Sequence, residues 1–193
     1  MEKKVPSGLF IAFSALLMVF SIGAVTSPAQ SHDVAIAVGT PVVTQINCGE
    51  QAGGGEPYNA TIKLLEFVRG PEALKRLQAA GGSNPAPKAG YEYILARISF
   101  QMKPRGAPGD KTFDLARPLQ FSVFSTDLAT EYEAPSVVLP KPELKRRVAA
   151  NEPAEGWIAF EIKQGDNKPL MLFDPSSGSA WSRGKSHFFK LYQ

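Results

Sequence analysis

A single cysteine, Cys48, excludes an internal disulfide framework and any zinc or iron–sulfur site built from several thiolates. Histidine is nearly as scarce, with only His32 and His187. Charge is balanced: 21 basic against 18 acidic residues leave a formal net charge of +3. That is too weakly basic for a nucleic-acid partner, and none is expected. The chain has no G-x-S-x-G elbow, no H-E-x-x-H and no Walker pattern. The run Gly53-Gly54-Gly55 lacks the Lys-Ser/Thr and helix start of a phosphate cradle. There is no internal repeat and no second composition regime, so 193 residues are read as one domain. What the chain does have is 44% hydrophobic residues with 20% charged, which excludes a disordered chain. It also has 17 glycines and 16 prolines, a turn-rich composition that favours strands over a helix bundle.

Residues 1–29 read as an export signal. Lys3 and Lys4 form a short positive region, and residues 9–20 are apolar except for Ser14. Ser27 and Ala29 supply the small residues of a cleavage site after Ala29, with Gly23 or Ala24 as the alternative. The run from Leu9 to Val25 is marginal for a membrane span, which needs about 20 residues. A membrane contact is therefore expected only if this segment stays uncleaved. Removing it leaves 19 basic and 17 acidic residues. Residues 30–38 are read as a linker and residues 39–193 as the folded domain. Cys48 lies too far from the apolar run for lipoprotein acylation, and Gln45-Ile46-Asn47 is the wrong context. It is read as a single packed or loop cysteine.

Strands are expected at 42–46, 60–69, 91–102, 118–125, 131–133, 155–163, 169–174 and 187–192, with a further short extended piece at 137–139. The clearest is 91–102, where Ile94, Ala96, Ile98, Phe100 and Met102 share one face. In 60–69 the pairs Leu64-Leu65 and Phe67-Val68 break the alternation, so burial on both faces or a bulge is expected. One helix is expected over 71–80. Pro71 suits its first position, and Gly81 suits a positive-φ position just past its end. Leu74 and Leu77 share a face and point to a cap packed on a sheet. Frequent Gly/Pro turns between short strands predict an antiparallel sandwich or barrel.

The chemistry-bearing residues are few. His32 falls in the linker and His187 opens the last strand, and both are read as ordinary surface histidines. Asp110, Asp114, Asp127, Asp166 and Asp174 recur in loops and are read as turn carboxylates, with a calcium site from several loops as the alternative. The basic run over 141–147 is read as a solvated loop. Trp157 lies opposite Ile158 and Phe160, so it either packs under the helix through Leu74 and Leu77 or serves as an exposed anchor. Trp181, in a Ser/Gly-rich loop, carries the same alternatives. Asn59-Ala60-Thr61 matches a glycosylation acceptor.

Four further stretches carry a family resemblance. Tyr91-Glu92-Tyr93-Ile94-Leu95-Ala96-Arg97-Ile98 resembles the strand after a G-Y-E-Y opening in exported bacterial proteins of the "domain of unknown function 4352" type. Phe121-Ser122-Val123-Phe124-Ser125 with Glu131-Tyr132 is similar to that family's strand and turn around a tyrosine. Glu155-Gly156-Trp157-Ile158-Ala159-Phe160-Glu161-Ile162 resembles its glycine-led apolar strand ending in F-E, and Arg69-Gly70-Pro71-Glu72-Ala73 its strand-to-helix joint. The resemblance covers roughly residues 39–192. It implies an immunoglobulin-like β-sandwich of the immunoprotective-extracellular-antigen type and brings no active site.

The expectation is therefore an all-β, immunoglobulin-like antiparallel sandwich with one short helix, exported to the cell envelope or secreted. It is read as a binding or interaction module with a protein or cell-envelope partner of unknown identity. No catalytic residue, cofactor or metal is assigned, and no ligand-binding residue is known. A hydrolase or metal-dependent enzyme built around His187 or the loop aspartates, and an envelope protein tethered by an uncleaved anchor, are the alternatives.

Overall fold

The computed structural model describes residues 28–48, 55–106, 109, 111–115, 120–144, 147–176 and 182–193. Residues 1–27 of the signal expected at 1–29, Gly53-Gly54, Asp110, Pro118 and Trp181 lie outside the described residues. In chain order the elements are α1 (Pro28–Val34), β1 (Pro41–Cys48), β2 (Glu56–Arg69), α2 (Pro71–Ala80), β3 (Tyr91–Pro104), β4 (Thr112–Asp114) and β5 (Phe121–Phe124). They continue with β6 (Glu131–Tyr132), β7 (Arg147–Ala149), β8 (Ala154–Lys163), β9 (Leu170–Phe173), β10 (Ser182–Gly184) and β11 (His187–Lys190).

Two antiparallel sheets face each other. One has the order β10-β1-β2-β3-β8, the other β11-β9-β5-β6, and a small β4-β7 ladder closes one flank. Of the sandwich and barrel that the strand pattern predicts, this is the antiparallel β-sandwich, the architecture that the family resemblance implies. The period-two face of β3 explains it. Ile94, Ala96, Ile98, Phe100 and Met102 are all buried in the core between the sheets. The facing sheet answers with Phe121, Val123, Met171, Phe173 and Phe189. Phe173 sits at the centre, with ring centroids 5.2 Å from Phe121 and 6.2 Å from both Phe100 and Phe113. Tilted contacts of this kind add to the gain from area burial.

Along β2 the register against β3 shifts between Leu64 and Glu66, a bulge where the doubled Leu64-Leu65 had broken the alternation. Leu64 is directed into the core, and Phe67 packs on its edge.

The outer face of the five-stranded sheet is covered as well. Ala73 and Leu77 of α2 form a second cluster with Tyr93 and Leu95 of β3 and Trp157 and Ala159 of β8. Pro71 occupies the start of α2, and Arg76 pairs with Glu72 one turn before it. Gly81 departs from expectation, with φ −152°, extended rather than left-handed. Its smallness serves a close approach instead, because a Cβ there would lie 2.8 Å from the Cβ of Val138.

Three further features were not legible as such. Residues 137–139, expected as a short extended piece, join no ladder; they cross the outer face, with Val137 and Leu139 packed on the helix cluster. The short strands β4, β7 and β10 pair where no periodic pattern is long enough to read. The stretch read as linker begins with α1 and is docked, with Ser31 and Ala35 buried. Ile36 adds a rung to the outer edge of β11: its N–H donates to Phe188 (2.8 Å) and its carbonyl accepts from Lys190 (2.9 Å). Gly39 N–H then reaches across to the Leu64 carbonyl of the other sheet at 2.8 Å.

Candidate functional site

The free edge of β8 is guarded at two points. At Trp157 the segment 142–144 pairs with it in parallel, Trp157 N–H to Pro142 O (2.9 Å) and Leu144 N–H to Trp157 O (3.2 Å). At Glu161 the backbone N–H donates to Glu133 O at 3.1 Å. Both clamps protect an edge that would otherwise be open to other chains. Gly156 is required beneath the first clamp, since a Cβ there would lie 2.2 Å from Leu144 N. Part of the basic run 141–147 thus serves as an edge cover: Lys141 and Glu143 are exposed while Leu144 is buried in the core.

Between the second clamp and the loop before β3 lies a groove of about 380 Å³. Tyr93 and Glu161 form its floor. They are direct cross-strand partners on β3 and β8, so both project to the same outer face. Pro85, Ala86 and Lys88 make one wall, and Glu133 to Val137 the other. Proline-rich, extended segments on both sides keep the walls apart.

Glu161 is the charged residue buried among the described residues, at 8% exposure. Its Oε1 accepts the Lys88 backbone N–H at 2.8 Å, and its Oε2 lies 3.2 Å from Lys88 Nζ. Lys88 Nζ is also 3.7 Å from Glu133. The hydrogen bond to Glu161 and then its charge raise the Lys88 pKa. The Tyr93 hydroxyl donates to Pro85 O at 3.4 Å, and burial followed by the Glu161 charge raises its pKa.

A second concavity of about 360 Å³ lies at one end of the sandwich. Asp166 organises it: the Thr126 hydroxyl and N–H and the Tyr132 hydroxyl (2.8 Å) all donate to its carboxylate. Burial, then this bond, pushes the Tyr132 pKa well up. Asp127 accepts from Ser125 Oγ and Ala129 N–H, which lowers its pKa. These carboxylates hold their own loops.

Of the residues singled out in the sequence, Trp157 packs under α2 at 5% exposure, with the Arg76 guanidinium 5.3 Å from its ring centroid. It is a packing residue. His32 is tied down rather than free. Its Nε2–H donates to Thr126 O (2.9 Å), and in the neutral ring Nδ1 accepts from the Tyr192 hydroxyl (2.9 Å). His187 Nε2 is buried without a hydrogen-bond partner, and burial lowers its pKa. Asp174 accepts from Ser176 N–H. Among the described residues, no group of three or more His, Cys, Asp or Glu is placed to hold a metal ion. Asn59 is exposed on β2, and Cys48 is buried and unpaired. Among the described residues no helix is long and apolar enough to cross a membrane.

No sequence signal brings the groove residues together. In the sequence Tyr93 and Glu161 stand out only within the runs that carry the family resemblance, and Lys88 does not stand out at all. Alternation fixes which face a residue takes, not which loop covers it.

No family model matches the chain. Its sequence is similar to auxin-binding protein ABP19b of Prunus persica, 29% identical over 121 residues. That match takes in 63% of this chain and 47% of the relative, so the chain spans about half the length of the curated relative it matches. Among solved structures it is similar to MPT63, a secreted protein of Mycobacterium tuberculosis, with TM-score 0.47, 10% identity, and 81% of this chain on 97% of that one. An uncharacterised β-sandwich protein of Clostridium difficile 630 gives TM-score 0.39 at 10% identity, with 75% and 91% covered. A Bacillus subtilis chain classed as a lipoprotein gives TM-score 0.47 at 15% identity, with 69% of this chain on 36% of that one.

Proposed function

We propose that this chain is an exported, non-enzymatic binding module of the "domain of unknown function 4352" type, and that the groove over Tyr93 and Glu161 is its binding site. The observation that carries the reading is Glu161, a buried carboxylate lining a concavity that solvent reaches. Buried charge is costly and is kept where it is paired or used. The apolar leader at 9–25 supports export, and the resemblance over residues 39–192 supports the family. A binding role fits the groove better than hydrolysis. His187, the histidine a serine nucleophile would need, has an unpartnered Nε2 and is not among the groove residues.

The test fills the groove. Ala86→Trp, checked for native fold by circular dichroism, is compared with wild type for capture of envelope material. Capture by wild type that is lost in the filled variant supports the reading. Equal capture by both places the binding surface elsewhere.

A further inference from the structure

The two oxygens of Glu161 have different partners. Oε1 takes a backbone N–H, a donor that cannot leave without moving the loop. Oε2 takes the ammonium of Lys88, whose side chain is 66% exposed. The anion is therefore built into the sheet, while its cation reaches in from solvent on a flexible four-carbon stem. We propose that Glu161 Oε2 is a socket for a primary ammonium on a short apolar stem, and that Lys88 fills it in the free protein as a displaceable plug. This rests on the groove being the binding site.

Charge favours this class. An anionic ligand would face both Glu161 and Glu133 across the same groove, whereas an ammonium replaces Lys88 one for one. A buried carboxylate left without a cation is strongly unfavourable, so displacement must exchange charge for charge. The exchange also frees the rotamers that Lys88 loses when it is held. Ala86, Pro135 and Val137 offer apolar walls for the stem, and about 380 Å³ holds a lysine-sized group. A lysine side chain and a peptide α-amino group share this chemistry.

Thermal unfolding of Lys88→Met with added ammonium tests the proposal. The variant should lose stability in plain buffer and recover it with n-butylammonium, by roughly 3 °C at ten times the dissociation constant. Wild type should respond more weakly, because its own plug competes. Lys88→Met combined with Glu161→Gln should not respond. An equal response to n-butanol, or a full response in the double variant, overturns the proposal. Should Lys88→Met fail to fold, amide NMR of wild type reads the same site. Nα-acetyl-lysine methylamide and alanyl-alanine amide separate the two ammonium sources there, with Nα,Nε-diacetyl-lysine methylamide as the neutral control. Either ammonium must shift the Lys88 and Glu161 amides, and Glu161→Gln must abolish the shift. If groove amides move only with neutral or anionic probes, the ligand class is wrong and the groove reading stands. If no probe moves them, both fall.

Discussion

The side-chain amide of Asn84 takes the place of a neighbouring strand for Val138. Its Oδ1 accepts the Val138 N–H at 2.7 Å, and its Nδ2 donates to the Val138 carbonyl at 2.7 Å. The same Nδ2 donates to the Leu77 carbonyl at 2.7 Å, which also accepts the Gly81 N–H (3.0 Å) at the end of α2. One buried residue thus joins the helix, its following loop and the segment that crosses the outer face.

Asn84→Ala leaves the part-buried N–H and carbonyl of Val138 without their partner, while Leu77 O keeps the Gly81 N–H, and should lower stability by about 1–2 kcal/mol in urea denaturation. Asn84→Asp should be worse at neutral pH, because a carboxylate would face two carbonyls. Part of that deficit should return below about pH 4, where the acid can donate. If Asn84→Asp equals wild type at pH 7, the bridge contributes nothing.

Trp157 and Arg76 separate packing from charge on the same surface. Trp157→Ala should cost about 3–5 kcal/mol, since the ring is buried against Ala73 and Leu77. Arg76→Ala should cost at most about 1 kcal/mol, the value of an exposed cation over a ring. Comparable losses in chemical denaturation would show that the cap helix is held by its charges instead.

The segment before β1 predicts where truncation becomes harmful. A chain lacking residues 1–29 keeps His32, Ile36 and Gly39, with their bonds to Thr126, Tyr192, β11 and β2. Removing 30–38 as well uncovers the edge of β11 and should lower the melting temperature by roughly 4–8 °C, the equivalent of about 2 kcal/mol. Equal melting temperatures for the two truncations would make the segment a spacer after all.

Cys48 predicts an alkaline limb. Burial first, then the Glu56 carboxylate, push its thiol up to about 11 from 9.0. The protonated thiol is the form the fold accepts. Its contribution is therefore complete below about pH 9 and is lost as pH rises through 11, to an extent on the order of 2–3 kcal/mol. Cys48→Ala should flatten this part of the pH–stability curve. Alkylation at pH 8 should be slow in the native protein and fast in urea. Tyr58, pushed up to about 12 by burial and its bond to Glu56, adds to the loss only at higher pH.

Much of this architecture was legible before any coordinates. The alternation in β3 named five core residues, all of them buried, and the broken alternation of β2 marked its bulge. The helix at Pro71–Ala80 followed from its end residues and from Leu74 and Leu77, and of the two alternatives open for Trp157 the structure takes the packed one, under α2. These are local properties: side-chain period and turn chemistry depend on neighbours a few residues away.

The functional reading depended on distant pairs. Lys88 meets Glu161 across 73 positions and Asn84 meets Val138 across 54, joining loops whose own sequences carry no period. The short strands β4, β7 and β10 exist only through their partners, and the stretch before β1 is ordered because β11 has an edge to fill. The sequence by itself determined an antiparallel all-β architecture, sandwich or barrel, with its inner faces and its cap helix, because alternation and turn residues encode them locally. Only the tertiary structure decided that a buried carboxylate lines a groove, because chain closure, not composition, brings those loops together.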